Sequence, residues 1–311
     1  MKTAKTRSYR RTKDLIFYVS LFALPVIQFF VFYVCVNTNS IIQAFMIHKF
    51  NGKEYIVQFA HFENFKYAIE LIRQNLYTIK YSMLIYLVAT FICLPLGLLF
   101  SFYIYKKFLF SGVFRIILFM PQLLSALIFS LLFRGITSEV YSQVAEFITG
   151  VRPTNGLLED PSTKLATVLF FNVWCSFGVN ILLYTGSMSA IDESIIESSQ
   201  IDGANYFKEF IYIIVPLVYP TIMQMMVISF ANIFANQMQL MSLYGLRSAE
   251  TAQMATFGIF LFQKTQEAKL VLNNGLSIGV LTSLGLMLTA VLLPLTLLFR
   301  KVLSKFGPKT F

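Results

Sequence analysis

Apolar residues gather into six long runs that contain no Asp, Glu, Lys or Arg: Leu15–Val36, Tyr81–Tyr105, Ile116–Phe133, Leu165–Met188, Ile211–Phe234 and Leu276–Phe299. A helix rises 1.5 Å per residue, so about 20 residues cross the hydrocarbon of a bilayer. Five runs reach that length. The third is shorter and contains Pro121 and Gln122; it reaches span length by starting near Val113, with Arg115 extending to the interface along its aliphatic stem. The pattern predicts an all-α polytopic membrane protein with spans at about 15–36, 81–105, 113–133, 165–188, 211–234 and 276–299. The first run is too long for a signal-peptide core and lacks a small-residue cleavage site, so a retained helix is expected.

The polar stretches between the runs are punctuated like loops. "RPTNGLLEDPS" (Arg152–Ser162) carries Pro, Asn-Gly and Asp-Pro, and "NGKEY" (Asn51–Tyr55) predicts a turn. No internal repeat, low-complexity tract or separate soluble domain is visible, so residues 1–311 read as one transmembrane domain.

Composition sharpens this. At 57% hydrophobic and 13% charged residues, the chain has too little charge to cover a soluble surface of its size. A net charge of +10 raises nucleic acid as a partner, but Lys and Arg do not cluster with stacking aromatics, and no nucleic acid is expected. They follow topology instead. The tail 1–14 holds Lys2, Lys5, Arg7, Arg10, Arg11 and Lys13; the C-terminal tail holds Arg300, Lys301, Lys305 and Lys309; the second-to-third connection holds Lys106, Lys107 and Arg115. Six spans put all of these on one side, and the positive-inside rule makes that side the cytoplasm, with both termini inside. The connections at about Asn37–Lys80, Arg134–Lys164 and Ala235–Lys269 then lie outside.

Little in the chain suggests catalysis. Cys35, Cys93 and Cys175 sit inside apolar runs and read as core residues, and His48 and His61 are too few and too far apart for a metal motif. There is no Walker-type phosphate loop, so energy from ATP would have to come from a partner chain.

The cytoplasmic connection 189–210 contains "AIDESIIESSQIDGANYFKEF". Asp192 and Glu193 suit a helix N-terminus. Gly203, behind Asp202, can take φ > 0 and end that helix, and a second can begin after it with Asp202 or Asn205 as cap. Two short helices meeting at a bend are predicted, followed by Pro216 and Pro220 early in the fifth span. The spacing is Glu197, two small residues (Ser198, Ser199), Asp202-Gly203-Ala204, Phe210, Ile213, Pro216 and Pro220. It resembles the EAA motif of the membrane subunits of ABC importers, with Ser-Ser in place of the usual Ala-Ala and Val215 where Leu is common.

The resemblance covers nearly the whole chain. "ENF" (Glu63–Phe65), "RQNLYTIKYS" before the second span, "FRIILFMPQLLSALIFSLLF" (Phe114–Phe133) and "NVWCSFGVNILLYTGSMSAIDESIIESSQIDGA" (Asn172–Ala204) are similar to the carbohydrate-uptake permeases of that superfamily. One departure is "LYGLRSAETAQMATFGIF" (Leu243–Phe260), where many relatives carry Thr-Gly-Gly-Pro. The resemblance implies the type I importer fold and a coupling helix that docks on a cytoplasmic ATPase through Glu197, Ser198, Ser199, Asp202, Gly203 and Ala204. Pro216 and Pro220 would serve as a hinge. It further implies a second, non-identical six-span permease, two ABC ATPases carrying the ATP and Mg, an extracellular solute-binding lipoprotein and a sugar as cargo. No cofactor is expected on this chain.

Polar residues inside spans point to the route of cargo. Ser229, Asn232, Asn236 and Gln239 recur at i, i+3, i+7 and i+10, as on one face of the fifth helix; Asn172, Trp174 and Asn180 on the fourth span and Gln122 and Ser125 on the third add hydrogen-bonding and stacking groups. They either line a pathway or tie helices together, and the pattern leaves both open. The absence of charge in the runs favours a neutral polyhydroxylated cargo; a polyol or glycerophosphodiester is the alternative. A secondary transporter or channel fits less well, because its coupling relay normally buries an ionisable group. A membrane enzyme fits least.

Overall fold

A computed structural model describes residues 2–50, 55–270 and 278–308. In chain order these residues form α1 (Asp14–Ala44), strands β1 (Met46–Phe50) and β2 (Tyr55–Phe59), α2 (Glu63–Gln74), α3 (Leu76–Tyr105), α4 (Ser111–Leu123) and α5 (Ala126–Thr149). Then come α6 (Lys164–Ser189), α7 (Glu193–Ile201), α8 (Tyr206–Ala231), α9 (Leu240–Tyr244), α10 (Ala249–Gln253), α11 (Phe257–Leu270) and α12 (Ile278–Phe306). Five of these helices are long and apolar enough to cross a membrane, and the bent pair α4–α5 makes a sixth if counted as one span.

The chain divides into two compact units, 1–73 with 267–289 and 74–266 with 290–311. In the first, α1 outruns its predicted span of 15–36 by continuing through polar Asn37 and Ser40. Their side chains donate to the carbonyls of Tyr33 and Val36, so these polar groups are satisfied inside the helix. The apolar side chains of α1 from Leu15 to Val36 are exposed, as on a helix whose solvent is lipid. β1 and β2 pair antiparallel with Phe50 opposite Tyr55. Asn51–Glu54 of the predicted turn lie outside the described residues, as do the first two positions of the predicted sixth span.

Asn64, from the "ENF" stretch, anchors this unit. Fully buried, it donates through Nδ2 to the carbonyls of Ala44 and Met46, at 2.9 Å each, and its own carbonyl accepts from the Ser283 hydroxyl at 3.1 Å. Gly279 lies so close to this corner that a Cβ there would stand 2.3 Å from the Met46 carbonyl.

In the second unit α6 is central and packs against α3, α4 and α8. Phe129, Phe133, Phe171 and Leu240 share one core cluster; Phe102, Tyr184, Met188, Ile196, Phe210 and Ile214 share another, where the ends of α3, α6 and α8 meet α7. Two spans carry a π-helical turn just before a proline: Ala89–Cys93 before Pro95, and Phe210–Ile214 before Pro216. The carbonyl four residues before each proline falls inside that turn, and the wider ring relieves the clash with the pyrrolidine.

The third predicted span, 113–133, is broken rather than straight. α4 ends at Leu123, Leu124 and Ser125 are extended, and α5 leaves at 115°. Pro121 removes the helical donor for the Ile117 carbonyl, which instead accepts from the Trp174 indole N–H on α6 at 3.2 Å. The Ser125 hydroxyl then caps α5 by accepting from the Ile128 amide at 3.3 Å.

The fifth predicted span, 211–234, begins earlier and ends earlier: α8 runs from Tyr206 to Ala231, and Asn232 is its C-cap. The proposed stripe on one helical face is therefore not formed. Asn236 Oδ1 accepts from the Met238 amide at 2.8 Å, and Met238 and Gln239 both take φ of 54°. An amide that bonds the backbone two residues on competes with the helix and ends its periodicity.

Candidate functional site

The connection between α6 and α8 is a double bend. Asp192 N-caps α7: its carboxylate accepts from the Ser194 amide at 3.0 Å and the Ser194 hydroxyl at 2.8 Å. Those two bonds, the backbone one first, hold its carboxyl below the usual carboxylate range. At the other end Asp202 is the C-cap and Gly203 follows at φ +82°. The Ala204 amide donates to the Ser199 carbonyl and the Gly203 amide to the Gln200 carbonyl, both at 3.0 Å. This pair of bonds is a Schellman motif, which closes the last helical carbonyls and turns the chain sharply. Asn205 then N-caps α8, its Oδ1 accepting from the Lys208 amide at 2.9 Å. Of the two capping candidates before α8, Asn205 fills the role and Asp202 does not.

Around this bend Glu197, Ser198, Asp202 and Gly203 are exposed and Ala204 is half-buried. Ser199 departs from the expectation that it faces a partner. It is buried, and its hydroxyl donates to the Ile196 carbonyl at 2.7 Å. Two apolar residues that the motif did not single out stand free instead, Ile201 at 86% exposure and Phe207 at 72%. A Cβ on Gly203 would meet nothing within 4 Å, so glycine is needed there for its backbone conformation alone.

The bend is tied to the rest of the unit from beneath. Ile196 enters the core cluster with Phe102, Tyr184 and Met188. Glu209, in the first turn of α8, pairs with Lys106 at the end of α3. Neither residue stood out in the sequence, because one read as a topological charge and the other as loop polarity.

The polar candidates of the spans separate into two groups. Gln122 and Gln239 come together with Pro121, Leu124, Phe129 and Phe171 around a cavity of about 210 Å³, whose lining carries no charged side chain. Gln122 also donates to the Cys175 carbonyl at 2.8 Å, and the Gln239 side chain accepts from the Ser242 hydroxyl at 3.3 Å. The others do not line this cavity. Asn180 reaches the Cys93 sulfur at 3.6 Å, Trp174 bonds Ile117 and sits edge-on to Phe129, and Asn232 donates to its own helix at Ile228. Asn172 is buried and Ser229 half-buried, and neither lines the cavity. Pro216 and Pro220 lie just beyond the π turn of α8.

A sequence profile described as binding-protein-dependent transport system inner membrane component matches residues 93–310. The chain belongs to that family. Among individual permeases it is 25% identical over 228 residues to the maltose/maltodextrin transport system permease protein MalF of Vibrio vulnificus, covering 72% of this chain and 43% of that protein. To the MalF protein of Escherichia coli K12 it is 28% identical over 129 residues, 40% of this chain and 25% of that one. The chain thus spans less than half the length of these relatives. In fold it is similar to a chain of a bacterial alginate ABC transporter solved with an alginate pentasaccharide-bound periplasmic protein, with a TM-score of 0.73, 20% identity, and coverage of 96% and 98%. A second structure, of a bacterial ABC transporter that imports the acidic polysaccharide alginate, gives 0.71 at 19% identity over 97% and 100% of the two chains. Family membership makes this an inner-membrane permease component, the class expected from its apolar runs and the spacing that begins at Glu197.

Proposed function

We propose that this chain is the membrane-spanning subunit of an ATP-driven importer that takes up a neutral sugar or oligosaccharide handed over by an extracellular solute-binding lipoprotein. The observation that carries the reading is the Schellman-closed bend with Glu197, Ser198, Asp202 and Gly203 exposed at its apex and Ile201 and Phe207 beside them. A bend closed by its own backbone bonds transmits a push that a flexible loop would absorb, and exposed apolar groups next to carboxylates suit a protein partner. In this reading the partner is one of two cytoplasmic ATPases, which hold the ATP and Mg; the bend and both termini face the cytoplasm; and a second, non-identical permease completes the pore. Pro216 and Pro220, beyond the π turn, leave α8 a place to flex.

The cavity between Gln122 and Gln239 is the favoured stretch of the cargo route. Its amides can donate to and accept from hydroxyl groups, the rings of Phe129 and Phe171 offer apolar faces, and the uncharged lining suits a neutral cargo. The maltose/maltodextrin relatives support the same substrate class. Reconstitution with the neighbouring genes' permease, ATPase and receptor in liposomes tests the proposal. ATP-dependent accumulation of a labelled oligosaccharide is expected. Uptake that ignores ATP would overturn the importer reading, and uptake of polyols to the exclusion of every sugar would overturn the cargo class.

A further inference from the structure

Glu209 is a carboxylate whose side chain is 1% exposed, and Lys106, at 12%, is its counter-ion, with Nζ 2.5 Å from Oε1. The pair sits in an aromatic box. The Lys106 ammonium lies 5.6 Å from the Tyr105 ring centroid, 5.9 Å from Tyr206 and 6.0 Å from Phe102. Phe102 in turn packs on Phe210 at 4.9 Å, and Phe108 on Tyr206 at 5.1 Å.

Burying two charges in such a place costs desolvation that an apolar pair of the same size would avoid, so fold stability alone does not account for it. Its position does. Glu209 lies in the first turn of α8, between the Gly203 bend and the π turn at Phe210–Ile214, and Lys106 closes the last turn of α3. A force entering at the bend reaches Glu209 before it reaches the stretch of α8 where Pro216 and Pro220 interrupt the hydrogen-bond ladder. An unbraced first turn would let that weak stretch take up the displacement.

We infer that Lys106 and Glu209 are positioning residues that brace the first turn of α8 against the end of α3, so that displacement of the Gly203 bend moves both helices together. The inference rests on the proposed coupling role of the bend. Charge pairing fixes direction and register here, and the rings exclude the water that would weaken it.

The test uses the whole reconstituted importer and reads molecules transported per ATP hydrolysed. Wild type is measured first; if its uptake does not depend on ATP, the functional reading fails before any variant is compared. Glu209→Gln and Lys106→Met should each still co-purify with the ATPase and hydrolyse ATP, while transport per ATP falls at least about fivefold, the lower range of ordinary coupling energies. The double variant Lys106→Glu/Glu209→Lys, which restores an ion pair with its charges exchanged, should restore the ratio to within about twofold of wild type. A normal ratio in Glu209→Gln overturns the inference. So does a single variant whose only defect is loss of the assembled complex. If the single variants do not accumulate, the double variant decides: assembled but uncoupled, it overturns the brace; assembled and coupled, it supports it.

Discussion

The Gln122 side chain lies where a side chain on Gly178 would have to be: a Cβ at Gly178 would stand 2.3 Å from Gln122 Cγ. The Gln122 amide is also fixed, because it donates to the Cys175 carbonyl one helical turn earlier on α6. The broken third span is thus keyed into α6 by a glutamine in a glycine-sized notch, at the edge of the cavity proposed for cargo. Gly178→Ala must either expel Gln122 and lose that hydrogen bond or push α4 away. Overpacking of this kind costs about 1–3 kcal/mol, so a lower melting temperature of the detergent-purified complex is expected. Shortening the glutamine as well, in Gly178→Ala/Gln122→Ala, should return most of the loss. A double variant no more stable than the single one would mean that the notch is not the cause.

Trp174 yields a sharper test, because its partner exists only on account of a proline. Pro121 leaves the Ile117 carbonyl without a helical donor, and the Trp174 indole supplies one. Trp174→Phe keeps the edge-on contact with Phe129 but leaves the carbonyl unpaired, at about 1–3 kcal/mol. Pro121→Ala restores a backbone N–H that the carbonyl can use. The phenylalanine should therefore cost less in a Pro121→Ala background than alone, by about 1 kcal/mol of coupling in a double-mutant cycle of thermal or denaturant unfolding. Strict additivity would contradict the assigned bond.

These two sites also show what could be read from the chain and what could not. Residues near one another in sequence carried much of their geometry openly: Asp192 at a helix N-terminus, Gly203 as the left-handed stop, and Asn205 as one of two cap candidates all rest on bonds spanning five residues or fewer. The break in the third span was less legible, since a proline in an apolar run is equally compatible with a tolerated kink, and the groups that decide, Trp174 and Gly178, are on another helix. The stripe from Ser229 to Gln239 failed for a local reason. It presumed a continuous helix, and α8 ends at Ala231 with Asn232 as its C-cap, before Asn236 is reached. Lys106 and Glu209 could not be paired from sequence at all, because nothing local distinguishes them from ordinary loop charges.

Gly203 should be sensitive in a way that separates strain from crowding. Its φ of +82° is costly for any residue with a Cβ, whereas the space around it is empty. Gly203→Ala is expected to cost about 1 kcal/mol and to loosen the Schellman bonds from Gly203 and Ala204. Gly203→Asn, whose side chain tolerates the left-handed region, should cost less. Affinity of the complex for the proposed ATPase partner, measured by titration in detergent, should fall in the order glycine, asparagine, alanine. Equal affinities would show that the bend is not what the ATPase reads.

In the other unit the two amide hydrogens of Asn64 close the carbonyls of Ala44 and Met46, and its backbone carbonyl receives Ser283 from α12. Asn64, Ala44 and Ser283 are fully buried at this corner. Asn64→Ala removes both donors at once and leaves two carbonyls unpaired, at about 1–3 kcal/mol for each buried group. Asn64→Asp nearly preserves shape but, when ionised, offers only acceptors to carbonyls that need donors. It should therefore be at least as damaging as alanine at neutral pH and should recover partly under acid, where a protonated carboxyl can donate again. Gly279→Ala probes the same corner from α12, since its Cβ would fall 2.3 Å from the Met46 carbonyl. Hydrogen exchange of the Met46–Phe50 strand reads all three variants. Faster exchange is expected in each, with only the aspartate variant slowing as pH falls once the intrinsic pH dependence of exchange is removed; strand amides protected equally in every variant would show that Asn64 does not hold the hairpin.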